Sequence, residues 1–279
     1  MKLIQIIKPF MKERLHMKNY EKMAPNIIRE LIRKQEITGP TAGMSKGFTQ
    51  ANLVILKKEH AFDFLLFCQR NPKSCPLLDV TEPGSFLPSK IANEADIRKD
   101  IPRYRIYRDG VNTEEEMDIT EYWEDDMVGF LLGCSFTFET PLLESGIPIR
   151  HIEEKCNVPM YKTNIQCEKA GVFEGPTVVS MRPMSHEDAI RAIQITSRFP
   201  AVHGAPVHIG DPSQIGITDI SKPDFGDTVT IKEGETPVFW ACGVTPQAVA
   251  MQSKPSIMIT HAPGCMFISD IRDEKYSIL

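Results

Sequence analysis

Four histidines, one arginine and a cysteine–serine pair stand in short polar segments between apolar runs, the usual place for chemistry in an α/β protein. The segments read GCSF at 133–136, IPIRHIEEKCNVPMYKTN at 147–164, HGAPVHIGDP at 203–212, WACGVTPQ at 240–247 and THAPG at 260–264. His151, His203, His208 and His261 could move protons near neutral pH. Arg150 or Arg182 could clamp a carboxylate with two parallel hydrogen bonds. Ser135 offers a hydroxyl and a backbone N–H to a developing oxyanion. Tyr161 and Asn164 could orient a substrate, and Asp211 could fix the tautomer of a nearby histidine.

Most of these residues also have a plainer reading. Cys134 is either a reacting thiol or a small buried apolar residue. Arg150 with Glu153 or Glu154 could be a structural ion pair, and His261, before Ala262-Pro263-Gly264, could cap a turn. Asp79 and Glu82 could share a proton, but at a strand end they suit turn capping better. Four residues separate His203 from His208, and Asp211 follows three later. That spacing admits a metal ion in a hydrolase or decarboxylase, yet one loop supplies too few ligands to define a geometry. No metal site is assigned.

Several function classes lose support. Walker A, G-x-G-x-x-G after a strand, G-x-S-x-G and H-E-x-x-H sequences do not occur. The net charge is −5 and the basic residues are scattered among acids, which argues against nucleic-acid binding. No apolar run has the length of a membrane-spanning helix. The 7 cysteines form no C-x-x-C, so reduced thiols in a cytoplasmic setting are expected. Self-association into a homo-oligomer stays open.

The 279 residues, 42% of them hydrophobic and 25% charged, suffice for one large domain or two joined lobes. Residues 1–18 carry 5 basic residues and 1 acid and read as an N-terminal extension; residues 19–279 read as the catalytic unit, with an acidic boundary near 113–118. Periodicity predicts helices over 20–36, 58–70, 123–132, 141–145, 186–198 and 246–252. Strands are predicted at 51–56, 76–81, 103–108, 147–152, 177–182, 237–242, 257–261 and 266–271. Asp109-Gly110 marks a turn, and Ser185 with Asp188 a helix start. Alternating strands and helices predict an α/β (mixed α+β) fold: a mixed sheet with flanking helices in two closely joined lobes around a cleft.

GFTQANLVIL, PLLDVTEPG, ADIRKDIPRYR, GCSFTFE, RHIEEKCNVPMYKTN, SRFPAVHGAPVHIGDP, PVFWACGVTPQ and ITHAPG together resemble the family of D-glutamate cyclase and the bacterial hydro-lyases, from about residue 22 to residue 272. The resemblance implies a lyase that dehydrates a small amino or hydroxy acid, most specifically D-glutamate to 5-oxo-D-proline, with a small carboxylate as its partner and no cofactor. Ring closure needs a deprotonated amine, a neutralised γ-carboxylate, a protonated leaving oxygen and a held α-carboxylate. A pocket shared by Cys134, His151, His203, His208 and His261 as catalytic groups, with Ser135, Arg150, Tyr161, Asn164, Arg182 and Asp211 as binding groups, is expected. A non-catalytic carboxylate-binding protein is the competing reading.

Overall fold

The computed structural model describes residues 20–278; the predicted extension over 1–18 lies outside them. Strand β1 (Phe48–Lys57) is buried from Thr49 to Leu56 although it carries three polar side chains. Each finds a partner: the Thr49 hydroxyl donates to Asp273, Gln50 pairs with Thr41, and Asn52 donates to the carbonyl of Gly133. Buried polar groups persist only when paired in this way.

One edge of β1 pairs along its length with β5 (Met127–Gly133), from Ala51 opposite Gly133 to Lys57 opposite Met127. Its other edge is shared by β10 (Met258–His261) and β11 (Phe267–Arg272). Strand β2 (Leu77–Val80) lies outside β5, and β3 (Tyr104–Arg108) with β4 (Val111–Glu116) outside β10, making seven strands. Asp109 and Gly110 join β3 to β4 with φ of 49° and 82°. Two left-handed residues in a two-residue hairpin match the predicted turn chemistry.

Strand alternation divides the apolar residues of this sheet. Leu53, Ile55, Ile106, Leu131 and Ile259 pack on one face. Val54, Leu56, Phe130 and Met258 meet α2 (Lys58–Arg70) and α6 (Thr245–Ser253) on the other. Four strands form a second sheet in the order β6 (Met160–Gln166), β7 (Pro176–Met184), β9 (Thr236–Ala241), β8 (His208–Ile209). Val238 and Trp240 of this sheet pack against α3 (Phe136–Glu144) and α5 (His186–Thr196); Tyr161, Val179, Met181 and Phe239 pack on its opposite face. The Ser185 hydroxyl accepts the Asp188 N–H at 3.1 Å, the predicted cap.

The class is the mixed α/β one the sequence predicts. Its detail differs in that all strand pairs within the two sheets run antiparallel. The predicted helix over 123–132 is largely strand β5, because a run apolar on every side suits a strand covered on both faces as well as a buried helix. The predicted strand at 147–152 gives way to the short helix α4 (Arg150–Glu154). The helix expected at 141–145 starts earlier and carries Pro141 inside it.

Helix α1 (Pro25–Arg33) sets Ile28 and Ile32 against Ile268 of β11. Arg29, buried, donates to the Ile268 carbonyl at 2.8 Å and to both Asp270 oxygens at 2.8 and 3.2 Å. Removing one partner of a buried pair strands the other. Arg29→Ala should therefore lower the free energy of unfolding by about 3 kcal/mol, read as a fall in the urea midpoint at unchanged slope.

Candidate active site

The end of β5 and the turn after β9 meet at Asn52. Gly133 closes β5 where a side chain has no room: a Cβ would lie 2.2 Å from the Ala201 carbonyl oxygen. Its own carbonyl accepts from Asn52 Nδ2 at 2.6 Å. At Gly243 a Cβ would lie 1.9 Å from the same nitrogen. One amide on the large sheet thus packs against the turn that follows the small sheet, and the GCSF and ACGVT segments are brought side by side.

Helix α3 starts directly after that junction and carries Glu139 inward. In β7, alternation turns Ser180 and Arg182 away from Val179 and Met181, toward α3. Arg182 is fully buried. Its Nε donates to Glu139 Oε1 at 3.1 Å, Nη1 to the Ser180 hydroxyl at 3.0 Å, and Nη2 to the Ser135 hydroxyl at 3.2 Å and to Glu139. The rings of Phe138 and Trp240 lie 5.4 and 5.5 Å from the guanidinium carbon. From α4, His151 Nε2 comes within 3.2 Å of the same Glu139 oxygen, in reach of an ion pair though not aligned as a hydrogen bond. Burial raises the Glu139 carboxyl, but His151 and Arg182 outweigh it and hold the group at about 2. The contacts with Arg182 and His151 both fall on Oε1, and Glu139 lines a cavity of about 510 Å³ together with Gln50, Phe136, Ile152 and Asp273.

Two thiols border this cluster. Burial raises Cys134 well above the ordinary thiol range and Cys242 to about 11. Both carry their protons at neutral pH, so Cys134 is no ready thiolate. His203 lies near the end of β5 with Nδ1 2.8 Å from the Lys73 carbonyl, and burial pushes it down to about 4.

Of the residues predicted for the site, Cys134, Ser135, His151 and Arg182 come together, with His203 at their margin. Arg150, one residue from His151, is committed elsewhere: to Glu153 at 2.9 Å, Glu235 at 2.5 Å and the Thr230 carbonyl at 2.7 Å. Tyr161 points to the other face of the small sheet and donates to the Ile220 carbonyl. Asn164 packs on Gly216. His208 lies against Phe239, and Asp211 caps the turn at Ser213. His261 accepts the Leu53 N–H on the large sheet and is pushed by burial to about 4. His203, His208 and Asp211 do not converge, and among the described residues no group of three His, Cys, Asp or Glu side chains is placed to hold a metal ion.

Sequence reasoning passed over Glu139, Asn52 and Asp273. Glu139 had a signal: an acid four residues after Ser135 in an apolar helix is placed to face inward. Asp273 had none, because its RDEKY surroundings read as surface.

A mixed α/β architecture with a buried arginine–carboxylate–histidine cluster on a cavity wall is the class that fold and site define. The family model for D-glutamate cyclase matches residues 128–270. A Geobacillus kaustophilus protein named "Putative hydro-lyase" is 69% identical over 257 residues, covering 92% of this chain and 98% of its own. A Bacillus subtilis protein of that name is 66% identical, covering 92% and 100%. The chain belongs to the D-glutamate cyclase family. A solved nitrogen repressor-like protein from Methanococcus jannaschii matches 80% of this chain and 88% of its own at 10% identity and a TM-score of 0.36, a likeness too slight to carry an argument.

Glu139→Gln leaves Arg182 buried beside a neutral partner. It should lower the free energy of unfolding by about 3 kcal/mol, and Glu139→Gln/Arg182→Met should recover most of that loss; denaturant titration of the three proteins checks both. The wild-type contribution of Glu139 is complete above pH 4.5 and is lost as pH falls toward 2. His203 and His261 act at milder acidity. Each is held near 4 against an ordinary 6.5, so the stability they lend is complete above pH 6.5 and lost as pH falls through 4. His203→Gln should flatten the fall in unfolding free energy across that window.

Proposed function

We propose that this chain is a hydro-lyase that closes D-glutamate to 5-oxo-D-proline with release of water. The observation that carries the reading is Glu139: a carboxylate held at about 2 by Arg182 and His151, on the wall of a 510 Å³ cavity. A permanent anion there suits the ammonium of an amino acid and would orient its nitrogen. Lys46, on the same cavity wall, supplies a cation for a substrate carboxylate. The family assignment supplies the reaction class.

The chemistry asked of the protein is modest. The amine adds to the γ-carboxyl carbon, a C–N bond forms, a C–O bond breaks, and the oxygen leaves as water. No electrons are exchanged, so the reaction itself calls for no electron carrier. Holding nitrogen and carboxyl carbon at contact distance replaces an improbable encounter with an intramolecular one. Ser135, whose hydroxyl accepts from Arg182 at 3.2 Å, places a hydroxyl against the charged cluster. All 7 cysteines are free, which suits a reducing compartment, and the reaction is assigned to the cytoplasm. No helix among the described residues is long and apolar enough to cross a membrane.

The test is incubation of the purified protein with D-glutamate, L-glutamate and both 5-oxoproline enantiomers, followed by chiral chromatography. Interconversion of the D pair alone is expected. His151→Gln should reduce the rate by about 100-fold. Saturable binding of 5-oxoproline without turnover of any of the four would overturn the lyase reading in favour of a carboxylate-binding protein.

A further inference from the structure

Asp273 shares with Glu139 and Glu21 the wall of the 510 Å³ cavity, and it also lines the adjoining cleft of about 660 Å³. It opens the 3-10 turn Asp273–Tyr276 immediately after β11. Its position is fixed from two sides. The backbone N–H donates to the Gly47 carbonyl at 3.1 Å, and Oδ1 accepts the Thr49 hydroxyl at 3.0 Å. Only 6% of the residue is exposed.

The surroundings of Asp273 differ from those of Glu139 in one respect. Among the described residues no cation forms an ion pair with it. Arg272, its chain neighbour, turns its guanidinium over the Phe48 ring at 4.6 Å. Lys46, from the loop before β1, lies 3.5 Å from Glu144 and 3.9 Å from Glu21. Glu144 of α3 and Glu274 of the same turn add negative charge nearby. A buried carboxyl among acids, with one neutral donor, holds its proton to higher pH than an exposed aspartate does.

Resting on the cyclase reading, we propose that Asp273 is the catalytic acid–base that carries protons from the substrate nitrogen to the departing oxygen. Glutamate enters with three protons on nitrogen and none on its γ-carboxylate. The lactam leaves with one N–H and a molecule of water, so two protons cross from nitrogen to oxygen. Protonated Asp273 gives its proton to the γ-carboxylate, and the aspartate so formed takes one from the ammonium. The free amine adds to the carboxyl carbon. As the C–O bond of the adduct breaks, Asp273 protonates the leaving hydroxyl and takes the second proton from nitrogen. It starts and ends protonated.

An ordinary aspartate is anionic at neutral pH and could not begin this sequence. Burial, reinforced by Glu274 and Glu144 and opposed by the Thr49 hydroxyl and Arg272, raises Asp273 to about 7, where donor and acceptor forms coexist. Glu139, fixed as an anion, is unsuited to the exchange. Two carboxyls pushed apart by their settings divide the roles of charge and proton transfer.

The experiment compares wild type with Asp273→Asn and Asp273→Glu, all full length. In Asp273→Asn, kcat for D-glutamate should fall by about 100-fold or more with KM changed far less. Wild-type kcat should decline as pH rises above 7; that limb should be absent from the residual rate of Asp273→Asn and present in Asp273→Glu. Folding stability gives a second readout. Wild-type Asp273 takes up a proton on folding between pH 3.8 and 7, which supports stability as pH falls through that range. Stability of Asp273→Asn should consequently fall more steeply with acid. An active wild type with an equally active Asp273→Asn of the same pH profile overturns the proposal and leaves the cyclase reading standing. A wild type that converts none of the four acids overturns both.

Discussion

A guanidinium with no access to water must be given acceptors for its donors and an anion for its charge, and at Arg182 the protein supplies both from separate elements. Ser180 comes from the same strand, Ser135 from the turn after β5, and Glu139 from the first turns of α3. Leaving any of these out would expose the full cost of burying an ion, several kcal/mol in a real protein interior. The cost constrains geometry. Helix α3 must begin where it does, and the small sheet must present β7 toward it, for one carboxylate oxygen to face Arg182 and His151 together. The aromatic rings of Phe138 and Trp240 beside the guanidinium exclude water and so strengthen the pairing.

That constraint reaches the large sheet through backbone rather than through charge. Asn52 lies in the buried middle of β1, where its amide satisfies the carbonyl at the end of β5. Gly133 and Gly243 lack side chains because Ala201 and Asn52 come too close to admit one. At this junction the two sheets approach each other through backbone and one amide, a contact of little adaptability compared with an interface of long side chains. A rigid junction of this kind suits a site whose charged groups have to be held within a fraction of an ångström.

Much of this was legible in the sequence, and the omissions have physical reasons. The polar segments singled out at strand ends meet in part: Cys134, Ser135 and His151 come together with Arg182 of β7. What pattern reading lacks is the face on which a residue points once strands pair. Tyr161 and Arg182 belong to neighbouring strands of one sheet and face opposite ways. His208 and Asp211 look like ligands in sequence, yet the short strand β8 carries them to the far side of that sheet. Arg150 and His151 are adjacent, but a helical turn sends one to the 230–235 loop and the other to Glu139. The run MVGFLLG read as helix because complete burial removes the alternation by which strands are recognised.

Glu139 and Asp273, both on the cavity wall, bear on the dehydration proposed above. Elimination of water from a hydroxy acid requires removal of a proton from carbon, which demands a strong base or a group that stabilises a carbanion. Glu139 is far too weak a base for that, held at about 2 by Arg182 and His151, and Asp273, at about 7, is only moderately basic. Ring closure asks less. Its mobile protons begin on an ammonium and end on an oxygen, both heteroatoms between which transfer is fast once a hydrogen-bonded path exists. A fixed anion to hold the ammonium and a carboxyl that exchanges its proton near neutrality match that demand. Burial acts on both carboxyls in the same sense, and it is the presence or absence of a cation that separates them. Arg182 set against one acid and Arg272 turned away from the other suit the nitrogen-to-oxygen proton transfer proposed above better than carbon deprotonation.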